Sequence, residues 1–431
     1  MKILILNKLS IKNFRCFEDF EINFDDKLNV IVGNNGSGKT TLLDAISIAV
    51  GTLFVGIDGT VSNSIRKNDA HYKRYEMGSV IDIQSQYPVE ISSVGSFDSE
   101  VLKWKRALNG EKSKTTTIDA KELINYSKEL EKKVKNGDKS VILPIVAYYG
   151  TGRLWSQKKE KKGSLELKQF SRMSGYVDSL ESSSNEKMML KWFEKMTLLQ
   201  FQKGSLIPEL EVVKNAVVKC FKGIKNISTA NLFFNIESHC IDIDYEDLDG
   251  KSYRYHVNDL SDGYKNTLSL IADIAYRMAI LNPQCMDNVL DETGGIVLID
   301  EIDLHLHPKW QQRIIGDLQS IFPKVQFIVT THAPIVIQSV PKENIIVLEN
   351  NEAYSINQQV YGRDVNSILR EVMGVSERPK DIKDMFNNFY SFLDKEDFEN
   401  ASEILNRIEN IVGETDTDYV NARMALDLEL L

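Results

Sequence analysis

The chain has 431 residues, of which 42% are hydrophobic and 26% charged, and its formal net charge is −10. This size allows two or three domains with a well-buried core, and the composition excludes a disordered, collagenous or disulfide-stapled chain. No apolar run approaches the ~18 residues of a membrane span, and the first residues lack the apolar core of an export signal. The four cysteines lie far apart without a CxxC pair, which argues against a zinc site, so we expect a reducing, cytoplasmic setting.

Charge is unevenly distributed along the chain. Residues 101–170 carry 17 Lys and Arg against 8 Asp and Glu, whereas residues 371–431 carry 6 against 15. This asymmetry predicts a basic face and an acidic tail with different partners. Ordinary solvated loops and helix faces would give the same counts, so both interpretations stay open.

The first 155 residues predict a β-rich lobe that contains a glycine-rich turn. Apolar and polar residues alternate, or apolar residues form short runs, over 3–17, 20–32, 80–83, 89–92, 101–108 and 143–149, which predicts strands there. Helices are expected over 39–50 and 119–136. A polar, basic loop then leads into helical patterns up to residue 225, where we interpret Trp192 and Phe193 as core residues.

The second half of the chain predicts alternating strands and helices followed by helices alone. Strands are expected over 231–257, 295–300, 325–330 and 345–348, with helices after 260 and over 308–321. The last 80 residues read as amphipathic helices, one of which ends at Gly413 as a cap. We therefore expect a half-domain (1–155), a helical insertion (156–225), a second half-domain (226–350) and a helical extension (351–431).

Residues 33–40, GNNGSGKT, fit the GxxxxGK[ST] pattern of a Walker A loop, and they lie between a buried strand and a helix. Glycines let backbone N–H groups converge on phosphates, Lys39 reaches the β- and γ-phosphates, and Thr40 places its hydroxyl on Mg²⁺. The sequence therefore predicts ATP and Mg²⁺ as ligands. The predicted nucleotide contacts are Gly33, Asn34, Asn35, Gly36, Ser37, Gly38, Lys39, Thr40 and Thr41.

Residues 295–301, GIVLIDE, are apolar up to two carboxylates. An aspartate at the end of a buried strand beside a Walker A loop is expected to hold the Mg²⁺ shell, as in Walker B, which assigns Asp300 to the metal. Glu301 is placed to polarise the attacking water. His305 and His307 follow closely, but no third ligand lies nearby in the sequence, which argues against zinc.

A short polar turn, LSDGY at 260–264, opens a long amphipathic helix. Ser261 or Asp262 suits a helix cap, and the N-terminus of a helix equally suits a phosphate. The order of these motifs resembles that of the ABC ATPase superfamily, and LSDGY resembles its LSGGQ signature. The resemblance implies that Asp303 is the D-loop acid and that His332, after strand 325–330, contacts the γ-phosphate.

The same resemblance implies a homodimer. In that superfamily the signature of one subunit caps the ATP held by the Walker A loop of another, which assigns Ser261, Asp262 and Gly263 to the partner's nucleotide. The implied fold class is α/β: an ABC-type P-loop ATPase with a β-rich N-terminal lobe, a short helical insertion and a helical C-terminal extension.

Residues 9–46 resemble the RecF/SMC/Rad50/OLD branch of that superfamily. In this branch the turn Asn13-Phe14-Arg15 precedes the Walker A loop, and Arg15 is expected to reach the nucleotide. The insertion is too short for the long coiled coil of an SMC protein. Where relatives place a Q-loop glutamine, this chain has YYGTGR at 148–153, which leaves that γ-phosphate sensor without an assignment. No TOPRIM or HNH pattern is visible, so the chain alone is not expected to cut nucleic acid.

Five stretches resemble the ATPase subunit of Septu-type anti-phage systems (PtuA-like), which also occurs in some retrons: LPIVAYYGTGRLW, SRMSGY, IDEIDLHLHPKWQ, TTHAPIVI and YGRDVNSILREVMGVSERPKDI. The resemblance implies an HNH nuclease partner (PtuB-like), a nucleic-acid target, no membrane, and in retrons a reverse transcriptase and its msDNA. We expect the insertion or the acidic C-terminal helices to dock the nuclease. Basic residues of 101–170, among them Lys158, Lys159, Lys161 and Lys162, are expected to contact the nucleic-acid backbone.

Three alternatives remain for the function. A stand-alone RecF-like repair factor would share every ATPase motif. A scaffold that binds nucleotide without hydrolysis is less consistent with an intact Glu301 and His332. A transporter ATPase fits least, because such subunits pair with membrane domains.

Overall fold

The computed structural model describes residues 4–97, 100–154, 171–181, 186–225 and 227–430. The predicted basic loop with Lys158, Lys159, Lys161 and Lys162 lies outside these residues. The strands are β1 Leu4–Phe14, β2 Phe17–Asn23, β3 Leu28–Val32, β4 Tyr72–Met77, β5 Val80–Ser85, β6 Val89–Phe97, β7 Glu100–Leu108, β8 Ile145–Tyr149, β9 Thr229–Asn235, β10 Cys240–Glu246, β11 Ser252–His256, β12 Gly295–Ile299, β13 Val325–Thr331, β14 Ile345–Glu349 and β15 Glu352–Ser355.

The helices alternate with these strands and dominate the end of the chain. They are α1 Lys39–Val50, α2 Lys121–Lys135, α3 Glu186–Lys203, α4 Pro208–Lys225, α5 Asp262–Leu281, α6 Val289–Glu292, α7 Pro308–Gln311, α8 Ile314–Ile321, α9 Pro334–Ile337, α10 Val365–Glu371, α11 Lys380–Leu393, α12 Phe398–Val412 and α13 Thr417–Glu429. The backbone divides into two compact units, Met1–Arg363 (unit 1) and Asp364–Leu431 (unit 2).

A six-stranded sheet in the order β15-β14-β3-β13-β12-β8 organises unit 1. All of its strands run parallel except β15, which pairs antiparallel with β14. Every residue of β3, β8, β12 and β13 is buried, as expected for the continuous apolar runs of a parallel sheet covered on both faces. The carboxyl ends of these strands therefore gather the residues that follow them at one edge, where ligands bind in such sheets.

A four-stranded antiparallel sheet, β2-β1-β6-β7, forms the predicted β-rich lobe. Buried Gln326 on β13 ties this sheet to the central one, because its amide accepts from the Leu6 N–H (2.9 Å) and donates to the Leu6 carbonyl (2.8 Å). Helix α1 packs against both sheets, and the Trp104 indole on β7 donates to its Ala49 carbonyl (2.9 Å). The segment Lys39–Gly56 has the length and hydropathy (1.3) of a membrane span, but 78% of it is buried inside the fold.

The predicted α/β class is confirmed, and three element predictions need correction. β4 was not predicted, because its alternating residues are exposed on both faces. The expected helix over 308–321 is two helices, since the Arg313 N–H turns back to the Trp310 carbonyl (3.0 Å) in a tighter turn. The C-terminal region does not begin as a helix, because β15 pairs with β14 along the edge of the central sheet.

Unit 2 consists of α10 to α13 and has its own apolar core. Phe389, Leu405 and Ile408 are fully buried there, and they belong to the apolar stripes of α11 and α12 that the sequence predicts. Asp397 and Asp416 cap α12 and α13 by accepting backbone N–H groups of the first turn, which satisfies donors that a helix start leaves free.

Candidate nucleotide-binding site

The Walker A loop joins the end of β3 to the start of α1. Gly36 and Gly38 take positive φ angles of 83° and 95°, a conformation that glycine adopts without a Cβ penalty. The Lys39 ammonium donates to the carbonyls of Gly33 (2.8 Å) and Asn34 (2.9 Å), across the loop. The Ser37 hydroxyl is buried without a partner among the described residues. An ammonium bonded only to carbonyls of the loop in the described part of the chain, with an orphan hydroxyl beside it, fits a bound phosphate chain.

Thr40 and Asp300 meet at the carboxyl ends of β3 and β12. The Thr40 hydroxyl donates to one Asp300 oxygen (2.8 Å), and the Thr330 hydroxyl donates to the other (2.6 Å). Asp300 is 1% exposed, so its carboxylate is held by hydroxyl donors rather than by water. Hydroxyl and carboxylate oxygens are the ligands that Mg²⁺ prefers, and the pair predicted to hold the metal therefore fits that ion.

Glu301 follows Asp300 with a strained backbone. Its φ is 47°, a backbone conformation that costs a non-glycine residue about 1–3 kcal/mol. Residues with such strain cluster at functional sites. Its N–H donates to the Thr330 hydroxyl (2.7 Å), and the Ile302 N–H donates to the Thr330 carbonyl (2.9 Å). Thr330 thus holds the carboxylate of Asp300 and the backbone of Glu301.

Asp303 and His332 lie at the next strand of the same edge. The Thr331 hydroxyl donates to Asp303 (2.6 Å) and accepts the Ala333 N–H (3.0 Å), so one side chain joins the D-loop acid to the turn that holds His332. Burial lowers the pKa of His332, and the Lys39 ammonium lowers it further, while Asp303, Glu301 and Asp300 oppose the shift. His332 is therefore neutral at pH 7 and able to offer one N–H and one acceptor nitrogen.

Lys39 shares this electrostatic environment. Burial lowers the pKa of its ammonium, and the carboxylates of Asp300, Glu301 and Asp303 offset that shift only in part. Lys39 is thus a buried cation whose counter-charges are already present in the site. Because three carboxylates surround one ammonium, a phosphate chain would need the Mg²⁺ beside it to balance the charge.

The signature turn lies at the N-terminus of α5, a helix of 20 residues. Ser261 occupies the N-cap position, but its side chain makes no capping hydrogen bond, and both Ser261 and Asp262 are exposed. Gly263 is packed so closely that a Cβ would come within 2.7 Å of the His305 carbonyl and of the Trp310 ring. The Asn266 amide donates to the Leu304 carbonyl (2.9 Å).

In the part of the chain that the structure describes, the side-chain contacts of this turn run to the D-loop, to Trp310 and to Phe221 of α4. Tyr264 stacks edge-on against Trp310 with ring centroids 4.1 Å apart. The Ser261 carbonyl accepts the Lys265 N–H (3.0 Å), and the Asp262 carboxylate pairs with the Lys265 ammonium (3.8 Å). The free hydroxyl and exposed helix N-terminus are thus presented outward, where a second molecule can meet them.

A buried network connects α5 to the central sheet. The Arg277 guanidinium donates to Asp273 (2.7 Å) and to the carbonyls of Gly175 (2.9 Å) and Val177 (3.0 Å). The Tyr149 hydroxyl at the end of β8 donates to the same Asp273 oxygen (2.7 Å). The Tyr149 carbonyl accepts the Asp300 N–H (2.8 Å). The segment that lacks a Q-loop glutamine therefore joins Walker B to the signature helix.

Arg15 lies beside the site in a polar cleft with a volume of ≈ 600 Å³. Its guanidinium donates to Asp44 (2.5 Å) on α1 and to Asp69 (2.8 Å). Burial alone would lower its pKa, but these hydrogen bonds outweigh burial and raise the pKa. The Tyr148 hydroxyl also donates to Asp44 (3.2 Å). Arg15 is thus held between two carboxylates, and contact between Arg15 and a nucleotide stays a prediction.

Sequence reasoning assigned no role to Thr330, Thr331 or Asp44. The TTH string did carry a signal for the threonines, because consecutive strand residues point to opposite faces and two hydroxyls could serve two acids. Asp44 gave no such signal, since its partners come from residues 15 and 148.

Comparisons with known proteins agree with this geometry. A family model described as an AAA domain matches residues 8–225, and a second AAA-domain model, linked by its description to the AbiEii toxin of type IV TA systems, matches residues 250–338. The Retron Ec83 probable ATPase of Escherichia coli is 28% identical over 87% of this chain and 77% of that protein. The Septu protein PtuA of Bacillus thuringiensis is 26% identical over 93% of this chain and 92% of that protein.

A shorter match extends the likeness to the predicted branch. The DNA double-strand break repair Rad50 ATPase of Archaeoglobus fulgidus is 42% identical over 67 residues, which is 16% of this chain and 7% of that protein. The predicted resemblance to a PtuA-like ATPase of the RecF/SMC branch is confirmed by these relatives.

Proposed function

We propose that this chain, which belongs to the AAA domain family, binds and hydrolyses ATP with Mg²⁺ as the control subunit of an anti-phage defence complex. The observation that carries the proposal is the convergence of Lys39, Thr40, Asp300, Glu301 and His332 at one sheet edge. This is the set of groups that phosphoryl transfer to water needs, namely a phosphate cradle, a metal pair and a water-orienting carboxylate.

Each residue then has a separate task. The Walker A backbone and Lys39 would hold the phosphates, and Thr40 with Asp300 would hold the metal, which when bound neutralises charge on the β- and γ-oxygens. Glu301 orients and polarises the attacking water, with its direction set by Thr330. Neutral His332 offers a hydrogen bond to the γ-phosphate oxygens from the neighbouring strand end.

Dimerisation completes the site. The exposed Ser261 hydroxyl and the positive end of α5 supply donors to the γ-phosphate held by a second copy. ATP thereby bridges two subunits, and its hydrolysis removes the bridging group. The buried contact of Gly263 with the D-loop makes the signature and Asp303 move together as one body.

The relatives named Septu PtuA and retron ATPase support the defence role. We propose that the chain controls a partner HNH nuclease of PtuB type, with nucleic acid as target and with a reverse transcriptase and msDNA in a retron context. The acidic helices of unit 2 are the proposed nuclease dock. The proposed nucleic-acid contacts are the exposed lysines Lys128, Lys132 and Lys133 of α2. Lys135 of the same helix and Lys105 of β7 are left out because they are paired with acids of this chain.

The experiment that tests the ATPase proposal compares Glu301→Gln with Glu403→Gln, an exposed glutamate of α12. We expect Glu301→Gln to lower turnover about 10²–10⁴-fold, while it binds ATP and accumulates as an ATP-dependent dimer in sedimentation runs. Glu403→Gln should match the wild type in both. Equal turnover in the two variants would rule out Glu301 as the group that activates water.

The defence proposal has its own test. Co-purification of the chain with products of its neighbouring genes, weighed by native mass spectrometry with and without ATP, should give a stable complex with an HNH protein. A lone ATP-dependent homodimer would leave the ATPase standing and favour the RecF-like repair factor. Charge reversal of Lys128, Lys132 and Lys133 on α2 without a change in DNA or RNA binding would remove the proposed nucleic-acid contact.

A further inference from the structure

The β4–β5 hairpin carries a concentration of exposed apolar side chains. Six of the 25 exposed large apolar residues among the described ones lie in it: Tyr72, Tyr75, Met77, Val80, Ile81 and Ile83, which are 44–65% exposed. Single exposed apolar residues need no explanation, but a concentration of them on both faces of one hairpin marks an interaction surface. The hairpin is therefore the place in unit 1 where a partner is expected.

This hairpin is fixed at its base and open at its edges. The His71 ring bonds to the Arg15 carbonyl (2.7 Å), the Gln86 N–H donates to the His71 carbonyl (2.7 Å), and Lys73 pairs with Glu18 of β2. Its sheet contains only β4 and β5 among the described strands. Each strand thus offers a free row of backbone groups, which is a template for pairing with another strand.

Charge argues against nucleic acid as the occupant of this edge. The hairpin strands carry Lys73, Arg74, Glu76 and Asp82, so their charges cancel, and Lys73 is already paired with Glu18. A surface that follows a phosphate backbone needs an excess of cations. Apolar residues on both faces with balanced charge instead suit a protein strand.

The order of charged residues along β4 favours pairing with β4 of a second copy of the chain. Residues directly opposite each other in an antiparallel pair lie on the same face of the sheet. When two copies of β4 pair about a two-fold axis normal to the sheet, one residue must therefore lie opposite its own copy at the axis, and this residue is called the centre of the register. The centres Lys73, Arg74 and Glu76 would each oppose like charges. Centring on Tyr75 opposes Arg74 to Glu76 twice, because these two residues lie on one face of β4.

We propose that β4 pairs antiparallel with β4 of a second copy of this chain, centred on Tyr75, and that this contact needs no nucleotide. The pairing places Arg74 against Glu76 on both sides of the axis, Tyr75 against Tyr75, and Lys73 against Met77. It joins the two hairpins into one four-stranded sheet and covers the free β4 edges. β5 offers no equivalent, since a centre on Asp82 opposes two carboxylates and other centres give no ion pair.

A charge-swap series tests this interface without nucleotide, and therefore separately from the proposed ATP-dependent dimer. We expect the wild-type chain to self-associate in sedimentation equilibrium. Arg74→Glu and Glu76→Arg should each raise the dissociation constant at least about tenfold, because each creates two like-charge oppositions. The double variant with both changes should return to within about threefold of the wild type. Lys103→Glu, an equal charge change at an exposed position of β7, should have no effect.

Disulfide trapping tests the register. Tyr75→Cys should form a covalent dimer under mild oxidation beyond the level of the wild type, whereas Gln84→Cys on β5 should not. A wild-type chain that stays monomeric without nucleotide would overturn the proposal, and so would a double swap that fails to restore association. Loss of oligonucleotide binding in Arg74→Glu with unchanged association would overturn it in favour of a nucleic-acid platform.

Discussion

The Arg277–Asp273 pair on α5 gives a sharp test of how the signature helix is held. Both side chains are nearly buried, 5% and 6% exposed, and the guanidinium also donates to the carbonyls of Gly175 and Val177. Burial alone would lower the pKa of Arg277, but Asp273 and Tyr149 outweigh burial and raise the pKa. The pair is therefore charged, and removing one partner leaves the other charge buried without compensation.

We expect Arg277→Met to lower the free energy of unfolding by about 3–5 kcal/mol, the usual cost of breaking a buried pair. The matched control is Arg254→Met, whose bidentate pair with Asp244 is exposed (66% and 33%), so that its loss should cost at most about 1 kcal/mol. The double variant Arg277→Met with Asp273→Leu should recover only part of the loss, because it removes both charges but leaves the Tyr149 hydroxyl and two carbonyls without their partners.

Urea unfolding followed by tryptophan fluorescence is the assay. The four tryptophans lie at positions 104, 155, 192 and 310, all within unit 1, so unit 2 contributes no signal. Trp192 packs edge-on against Tyr276 of α5, with ring centroids 5.2 Å apart, and reports on this segment directly. Equal destabilisation by Arg277→Met and Arg254→Met would refute the claim that burial makes this pair structural.

Three further substitutions test the site and unit 2, and a prediction of pH dependence accompanies the first. Lys39→Ala should raise the pKa of His332, since it removes a neighbouring cation, and an NMR titration of the ring measures the shift. The pKa of His332 is lower in the folded protein than in the unfolded chain. The neutral ring therefore contributes stability above the pKa of the unfolded chain, and this contribution should be lost as pH falls through the pKa of the folded protein. Gly263→Ala should cost about 1–3 kcal/mol, because its Cβ meets backbone and ring atoms at 2.7 Å, and should weaken turnover. Phe389→Ala should destabilise unit 2 by about 3–5 kcal/mol, seen as faster amide exchange in α11 to α13.

Each of these predictions has a matched control. Lys39→Arg keeps the cation and should leave the pKa of His332 near the wild-type value. Gly316→Ala changes a glycine in α8 with open space around it, so it should be neutral or stabilise by up to about 1 kcal/mol. Tyr390→Ala removes a neighbour of Phe389 that is 40% exposed, and it should cost less. Controls that behave like the test variants would contradict the packing arguments.

The sequence predicts the parallel core well, because its strands are apolar runs of fixed length. α1 has the predicted bounds 39–50 and β3 ends at the predicted residue 32, since a Walker A loop marks the start of one and the end of the other. The single strand expected over 20–32 is divided between β2, which ends at Asn23, and β3, which begins at Leu28. β4 and β15 were not predicted because both lie at sheet edges, where most of their residues are exposed and no core imposes a pattern. Lys39, Thr40 and Asp300 follow from motif spacing alone.

Partners that come from distant parts of the chain could not be predicted. Tyr149 and Asp273 are 124 positions apart, and no local pattern relates them. The engagement of Arg15 with Asp44 and Asp69 depends equally on tertiary packing. The cap position of Ser261 was predictable from its residue type, but only the structure reveals that its hydroxyl makes no capping bond.

The measurement that tests the central claim most directly mixes two inactive variants. Lys39→Ala lacks a working Walker A loop and keeps its signature, and Ser261→Arg has the reverse defect. If each site is shared between copies, a 1:1 mixture forms mixed dimers with one complete site and recovers about a quarter of wild-type ATP turnover. Turnover that stays at the level of the separate variants would contradict a site completed by the Ser261 turn of a second copy.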